Sequence, residues 1–158
     1  MLRIDVRRGH RSEARGVVAP PRAYDWAMGQ HGRIAHHVVR RVAAEGVNPE
    51  PTWAEVAAEL YSDSPALQMH GSACSTFLGL CSEGLVIGVP AGNYECSLRD
   101  KNFGLVAVRM LREEPSLVFD QDALWRHVLN GRVVRHNAQM DVVCTLFRAN
   151  LIKLDDEE

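Results

Sequence analysis

Two stretches of this chain carry the same apolar pattern. His136 to Ile152 holds Met140, Val143, Cys144, Leu146, Phe147, Leu151 and Ile152 where His70 to Val86, 66 residues earlier, holds Cys74, Phe77, Leu78, Leu80, Cys81, Leu85 and Val86. In both, apolar residues recur at i, i+3, i+4 and i+7, which is one face of an amphipathic helix. Gly84 and Asn150 follow the last helical turns, where a left-handed backbone costs these two residue types least. A chain with this pattern twice is constrained to put two equivalent helices, each followed by a pair of aliphatic residues, into one core.

The similarity extends upstream at a shift of 72. Gly32, Ala35, Arg40, Trp53 and Val56 meet Gly104, Ala107, Arg112, Trp125 and Val128, and Ile34, Val38 and Val39 meet Val106, Met110 and Leu111. The change of shift falls in the loop before the third helix, where a length difference is tolerated easily. The expected fold is all-α, six helices as two tandem three-helix repeats with short extended segments at 85–89 and 151–154 that can pair. Repeat one spans about 22–89 and repeat two about 98–154, inside a single helical domain, 22–154.

Taken in order, residues 1–21 form a flexible basic arm; residues 1–22 hold six arginines against Asp5 and Glu13. Pro20-Pro21 precedes a first helix, Tyr24 to Glu45, that Gly46 stops. Thr52 and Glu55 read as a capping box opening a second helix at Trp53. Ser72 caps the third helix. Ser97 leads into the fourth, to Glu113, with Phe103, Val106, Ala107, Met110 and Leu111 as its stripe. Asp120 caps the fifth, and Asn137 caps the sixth with Asp141 facing away from the core. An acidic tail, 155–158, closes the sequence.

TFLGLCSEGLV at 76–86, Gly92-x-Tyr94, Leu124-Trp125 and HNAQMDVV at 136–143 resemble a family of small bacterial proteins known only as a domain of unknown function. The likeness spans about residues 29–152. It implies a cytoplasmic bacterial protein and no particular activity. Ser72, Ala73 and Cys74 stand where the family usually has Cys-Pro-Lys, and Phe103 where it tends to have tyrosine.

Function is bounded more by exclusion than by motif. A net charge of −2 lacks the basic excess of a typical nucleic-acid binder, and no apolar run approaches the roughly 20 residues of a membrane span. Cys74, Cys81, Cys96 and Cys144 contain no paired motif and read as reduced thiols. A cysteine enzyme could draw on Cys74 or Cys81 with His136 and Asn137 or Asp141. A metal site could recruit His31, His36, His37, His70, His127 or His136, but the spacing is poor, so no metal and no cofactor are expected. A winged-helix DNA binder could use the third helix as its reader, though that helix offers no lysine or arginine. The preferred reading is a non-enzymatic intracellular interaction module that binds a protein or small ligand between the repeats. The helix start at 136–137 favours an anion, so the candidate ligand-binding residues are His136, Asn137, Asp141, Tyr94, Ser97 and Lys101.

Overall fold

A computed structural model describes residues 28–69, 71–135 and 138–155. Within these residues the chain is all-helical, with six helices of nine residues or more: α1 Gln30–Glu45, α2 Pro49–Leu60, α3 Ser72–Ser82, α4 Leu98–Glu113, α5 Gln121–Leu129 and α6 Gln139–Arg148. A single helical turn, Pro65–Gln68, follows α2, and a 3-10 turn, Pro115–Phe119, precedes α5.

The buried face of α1 is Gly32, Ile34, Ala35, Val38, Val39 and Val42. Gly46 ends the helix in the left-handed region at φ 69°, its N–H bonded to the Val42 carbonyl. The helix begins at Gln30 rather than Tyr24: Met28 and Gly29 are non-helical, and residues 24–27 lie outside the described residues. Helix α2 also departs from expectation. It starts at Pro49, capped by the Asn48 side chain, which accepts from the Glu50 N–H at 2.8 Å. Proline costs nothing in a first turn, where its missing N–H has no intrahelical partner, so the helix gains a turn at its start. Thr52 therefore caps nothing; its hydroxyl donates back to the Asn48 carbonyl at 2.7 Å.

Helices α3 and α6 form the centre. Every residue from Ala73 to Cys81 is buried, and every residue from Gln139 to Leu146. A helix enclosed all round is not amphipathic in the sense the periodicity suggested, and the small residues Ala73, Ser75, Gly79 and Thr145 are what let neighbours close on every side. The two helices pack on each other. Helix α1 lies against α6, and α4 lies against both α3 and α6. At Gly32 a Cβ would fall 2.1 Å from Thr145 Oγ1 and 2.9 Å from the Asp141 carbonyl oxygen, and at Gly79 a Cβ would fall 2.6 Å from Lys101 Cβ. Both crossings require glycine.

Helix α4 is capped by Ser97, whose hydroxyl accepts from Asp100 N–H at 3.2 Å. Its buried face is Phe103, Gly104, Ala107, Val108 and Leu111; Val106 and Met110, assigned to the stripe from sequence, are only half-buried. Asp120 caps α5 through Ala123 N–H as expected, and Asn130 ends it at φ 48°. The position before α6 is Ala138, at φ 71° and without a side-chain cap, one residue later than expected; Asn137 lies outside the described residues.

Trp53 and Trp125 are both buried. Trp53 packs on Phe77 with ring centroids 5.6 Å apart and donates from Nε1 to the Leu67 carbonyl. Trp125 instead meets Phe103 edge-on at 5.2 Å.

The ends of α3 and α6 are alike bond for bond. Leu85 N–H reaches the Leu80 carbonyl and Gly84 N–H that of Cys81; 66 residues on, Leu151 N–H reaches Leu146 and Asn150 N–H reaches Phe147. Gly84 and Asn150 sit at φ 73° and 61°. The aliphatic pairs that follow join in an antiparallel bridge between Val86 and Ile152, with Ile87 N–H on the Leu151 carbonyl and Lys153 N–H on that of Leu85. Each bond of the bridge maps onto the other at the same 66-residue shift.

Candidate functional site

Asp141 is where sequence and structure part most sharply. It is 7% exposed and points into the α1–α6 crossing. Its Oδ1 accepts from Gly29 N–H at 3.0 Å and its Oδ2 from Gly32 N–H at 2.7 Å. Gly29 has no side chain to cap α1, and a carboxylate from the last helix supplies both acceptors and the negative charge that a helix N-terminus favours. Thr145 Oγ1 donates to Asp141 Oδ1 at 3.5 Å, which completes the acid's surroundings. Nearby His31 is held below its ordinary range, burial of the imidazole outweighing the attraction of Asp141.

Ser97, Lys101 and Tyr94 are also bonded within the fold. Ser97 caps α4 by its hydroxyl, and its N–H donates to Ser75 Oγ. Lys101 pairs with Glu83 at 2.7 Å across the Gly79 crossing. The Tyr94 hydroxyl donates to the Pro90 carbonyl at 2.7 Å, and burial raises its pKa. His136 and Asn137 lie outside the described residues. The starts of α4 and α6 do come together: buried Gln139 donates from Nε2 to Asp100 Oδ1 at 3.4 Å, while Thr76 Oγ1 donates to the Asp100 carbonyl. Ser97 and Lys101 stand around that contact. Asp141 faces α1 instead, so the described members do not converge on one space.

Three of the four thiols are poor nucleophiles. Cys74, Cys81 and Cys144 are buried, and Cys96 is intermediate; all four are free. Burial pushes Cys74 and Cys144 up to about 12 and Cys81 higher still, so none of the three carries thiolate near neutral pH. The recognition-helix reading of α3 fails on geometry. A helix enclosed by α4, α6, α1 and α2 has no face for a DNA groove.

The open space in the molecule lies elsewhere. Beside the Val86–Ile152 bridge a groove of about 840 Å³ is lined by Ile87, Leu111, Pro115, Phe147, Ile152 and Leu154, with Arg112, Asn150, Lys153 and Asp155 at its side. Ile87 is 46% exposed and Leu154 61%. The Arg112 guanidinium donates to the Lys153 carbonyl at 2.7 Å and fixes the extended segment after α6 that forms one wall. A second open groove, of about 700 Å³, lies between α4 and α5. None of the described candidates Asp141, Tyr94, Ser97 and Lys101 lines either groove. For the first groove the available signal was the pair Ile87 and Leu154, aliphatics just past two helix stops with nothing in the pattern to cover them.

Among the described residues no three His, Cys, Asp or Glu side chains converge as a metal site, and no helix is long and apolar enough to cross a membrane. No curated protein and no solved structure matches the chain. Residues 28–153, from the turn before α1 to the last residue of the bridge, match the family of unknown function DUF6979, and the chain belongs to that family.

Proposed function

We propose that this protein is a non-enzymatic interaction module, built from an internal duplication, that takes an apolar ligand or peptide segment in the groove beside the Val86–Ile152 bridge. The observation that carries the reading is that groove: aliphatic and aromatic walls left open at the junction of the two halves, with exposed Ile87 and Leu154 on its rim. A concave groove whose walls are mostly apolar, with a few charged groups at its side, is the kind of surface that takes a ligand. The duplication is supported by the symmetric bonds at 84–87 and 150–153 and by the common helix order. The long helices cross their partners differently, Gly32 meeting Asp141 and Thr145 whereas Gly104 meets Thr76 and Leu80, so the halves have diverged in register.

The proposal moves the ligand away from the polar set Asp141, Tyr94, Ser97 and Lys101, because each already has an internal partner. Binding of 8-anilinonaphthalene-1-sulfonate to the native protein tests it. Saturable fluorescence enhancement that Leu154→Asp abolishes, with the unfolding midpoint unchanged, supports the reading. Enhancement that Leu154→Asp leaves intact removes it.

A further inference from the structure

We propose that the α4–α5 groove is a second docking surface, for an acidic amphipathic peptide segment of a partner protein. Its floor is Val106, Met110 and Val128, and its rim carries Arg126, His127 and Arg132. Among the described residues no carboxylate lines it, although the chain as a whole carries net charge −2. A local cationic rim on a chain of the opposite sign is complementary to a negative partner and orients its approach.

Arg132 is the anchor. Its Nε donates to the Leu129 carbonyl at 2.9 Å and its Nη2 to the Val128 carbonyl at 3.2 Å, and its guanidinium sits 5.1 Å from the centre of the Phe103 ring. Those contacts occupy the last carbonyls of α5, where a cation is favoured by the helix dipole. A guanidinium has five N–H donors, so held this way it keeps donors for a carboxylate while its side-chain entropy is already spent. Arg126, exposed on α5, offers a second cation beside it. The half-buried Val106 and Met110 lie below.

The floor decides which polyanion fits. A nucleic-acid backbone would use the arginines and leave the apolar floor in water, whereas a helix or strand bearing aliphatics beside carboxylates covers both. A methionine in such a floor adapts to more than one aliphatic partner.

The test uses the full chain and three fluorescein-labelled probes: the peptide ELLEELLEELLE, its all-glutamine analogue with Glu replaced by Gln, and a DNA duplex of 20 base pairs. Anisotropy at low salt is expected to show saturable binding of the acidic peptide, weakened about tenfold by Arg126→Glu and by physiological salt. The glutamine analogue is expected to bind at least about tenfold more weakly. Met110→Asp is expected to abolish binding, and Leu154→Asp, in the other groove, to leave it unchanged. Circular dichroism and unfolding midpoints confirm that the variants fold. Equal binding of the glutamine analogue, indifference to Arg126→Glu, or tighter binding of the DNA duplex with the same Arg126 dependence would each overturn the proposal, the last in favour of nucleic acid.

Discussion

Replacing Asp141 by alanine removes the acceptor for two backbone N–H groups at the start of α1, at 3.0 and 2.7 Å, inside a site that is 7% exposed. A hydrogen bond to a charged group contributes about 1.5–3 kcal/mol, and losing a helix cap costs about 0.5–2 kcal/mol. The two figures describe overlapping parts of one interaction, so they do not add. A loss of about 3 kcal/mol is expected for Asp141→Ala. For a domain of this size that is a fall of about 10 °C in Tm, taking roughly 3–4 °C per kcal/mol. Asp141→Asn keeps one carbonyl acceptor but loses the charge, and about half the effect is expected. Urea unfolding followed by circular dichroism measures both, and the m-value should stay constant if the loss is in the native state. Amide exchange adds a local readout: the N–H groups of Gly29 and Gly32 should exchange far faster in the alanine variant, while those of α3 should change only with global stability. A stability within 0.5 kcal/mol of the parent, or uniform exchange across the chain, would refute the idea that α6 caps α1.

Three further outcomes concern the packing of α1, the Trp53 bond and the buried thiols. Gly32→Ala should cost about 1–3 kcal/mol, because its Cβ would meet Thr145 Oγ1 and the Asp141 backbone; pairing it with Thr145→Gly should recover part of the loss, read as a coupling energy in a double-mutant cycle. Trp53→Phe, which removes the Nε1 bond to the Leu67 carbonyl and leaves that acceptor buried, should cost about 1–3 kcal/mol in the same unfolding assay. Stability should fall on the alkaline side: the unfolded chain releases thiol protons above the ordinary value of 9.0, whereas folded Cys74 and Cys144 keep theirs to about 12. The raised folded values make this contribution complete below pH 9 and lost between 9 and 12, at up to about 1.4 kcal/mol per pH unit for each thiol. Cys74→Ser and Cys144→Ser together should flatten that slope.

The helices themselves were legible in the sequence because their signals are local. Gly46, Gly84, Asn130 and Asn150 all adopt the positive φ that their positions demanded, and Ser97 and Asp120 cap where their spacing placed them. Pairing of 85–89 with 151–154 followed from the placement of two aliphatic pairs after matched helix stops. What failed depended on neighbours distant in sequence. Asp141 looks outward on a helical wheel, since it stands about 100° from Met140, yet α6 is enclosed on every side and α1 arrives with an uncapped N-terminus at that point. The start of α1 has no local signal for the related reason that its cap is 112 residues away. At α2 the local signal was present but misread: Thr52-Trp53-Ala54-Glu55 has the pattern of a capping box, and Asn48-Pro49, a better start, lies one turn earlier.

The claim that the groove at the junction of the two halves is the binding surface can be tested most directly by methyl NMR. Carbon-labelled isoleucine, leucine, valine and methionine methyl resonances of the full chain are followed as 8-anilinonaphthalene-1-sulfonate is added. The account predicts saturable shifts at Ile87, Ile152, Leu154 and Leu111, which share that groove, with Ile34 and Leu124 in the core unmoved. Shifts confined to Val106, Val128 and Met110, or no saturable shift at Ile87 and Leu154, would contradict it.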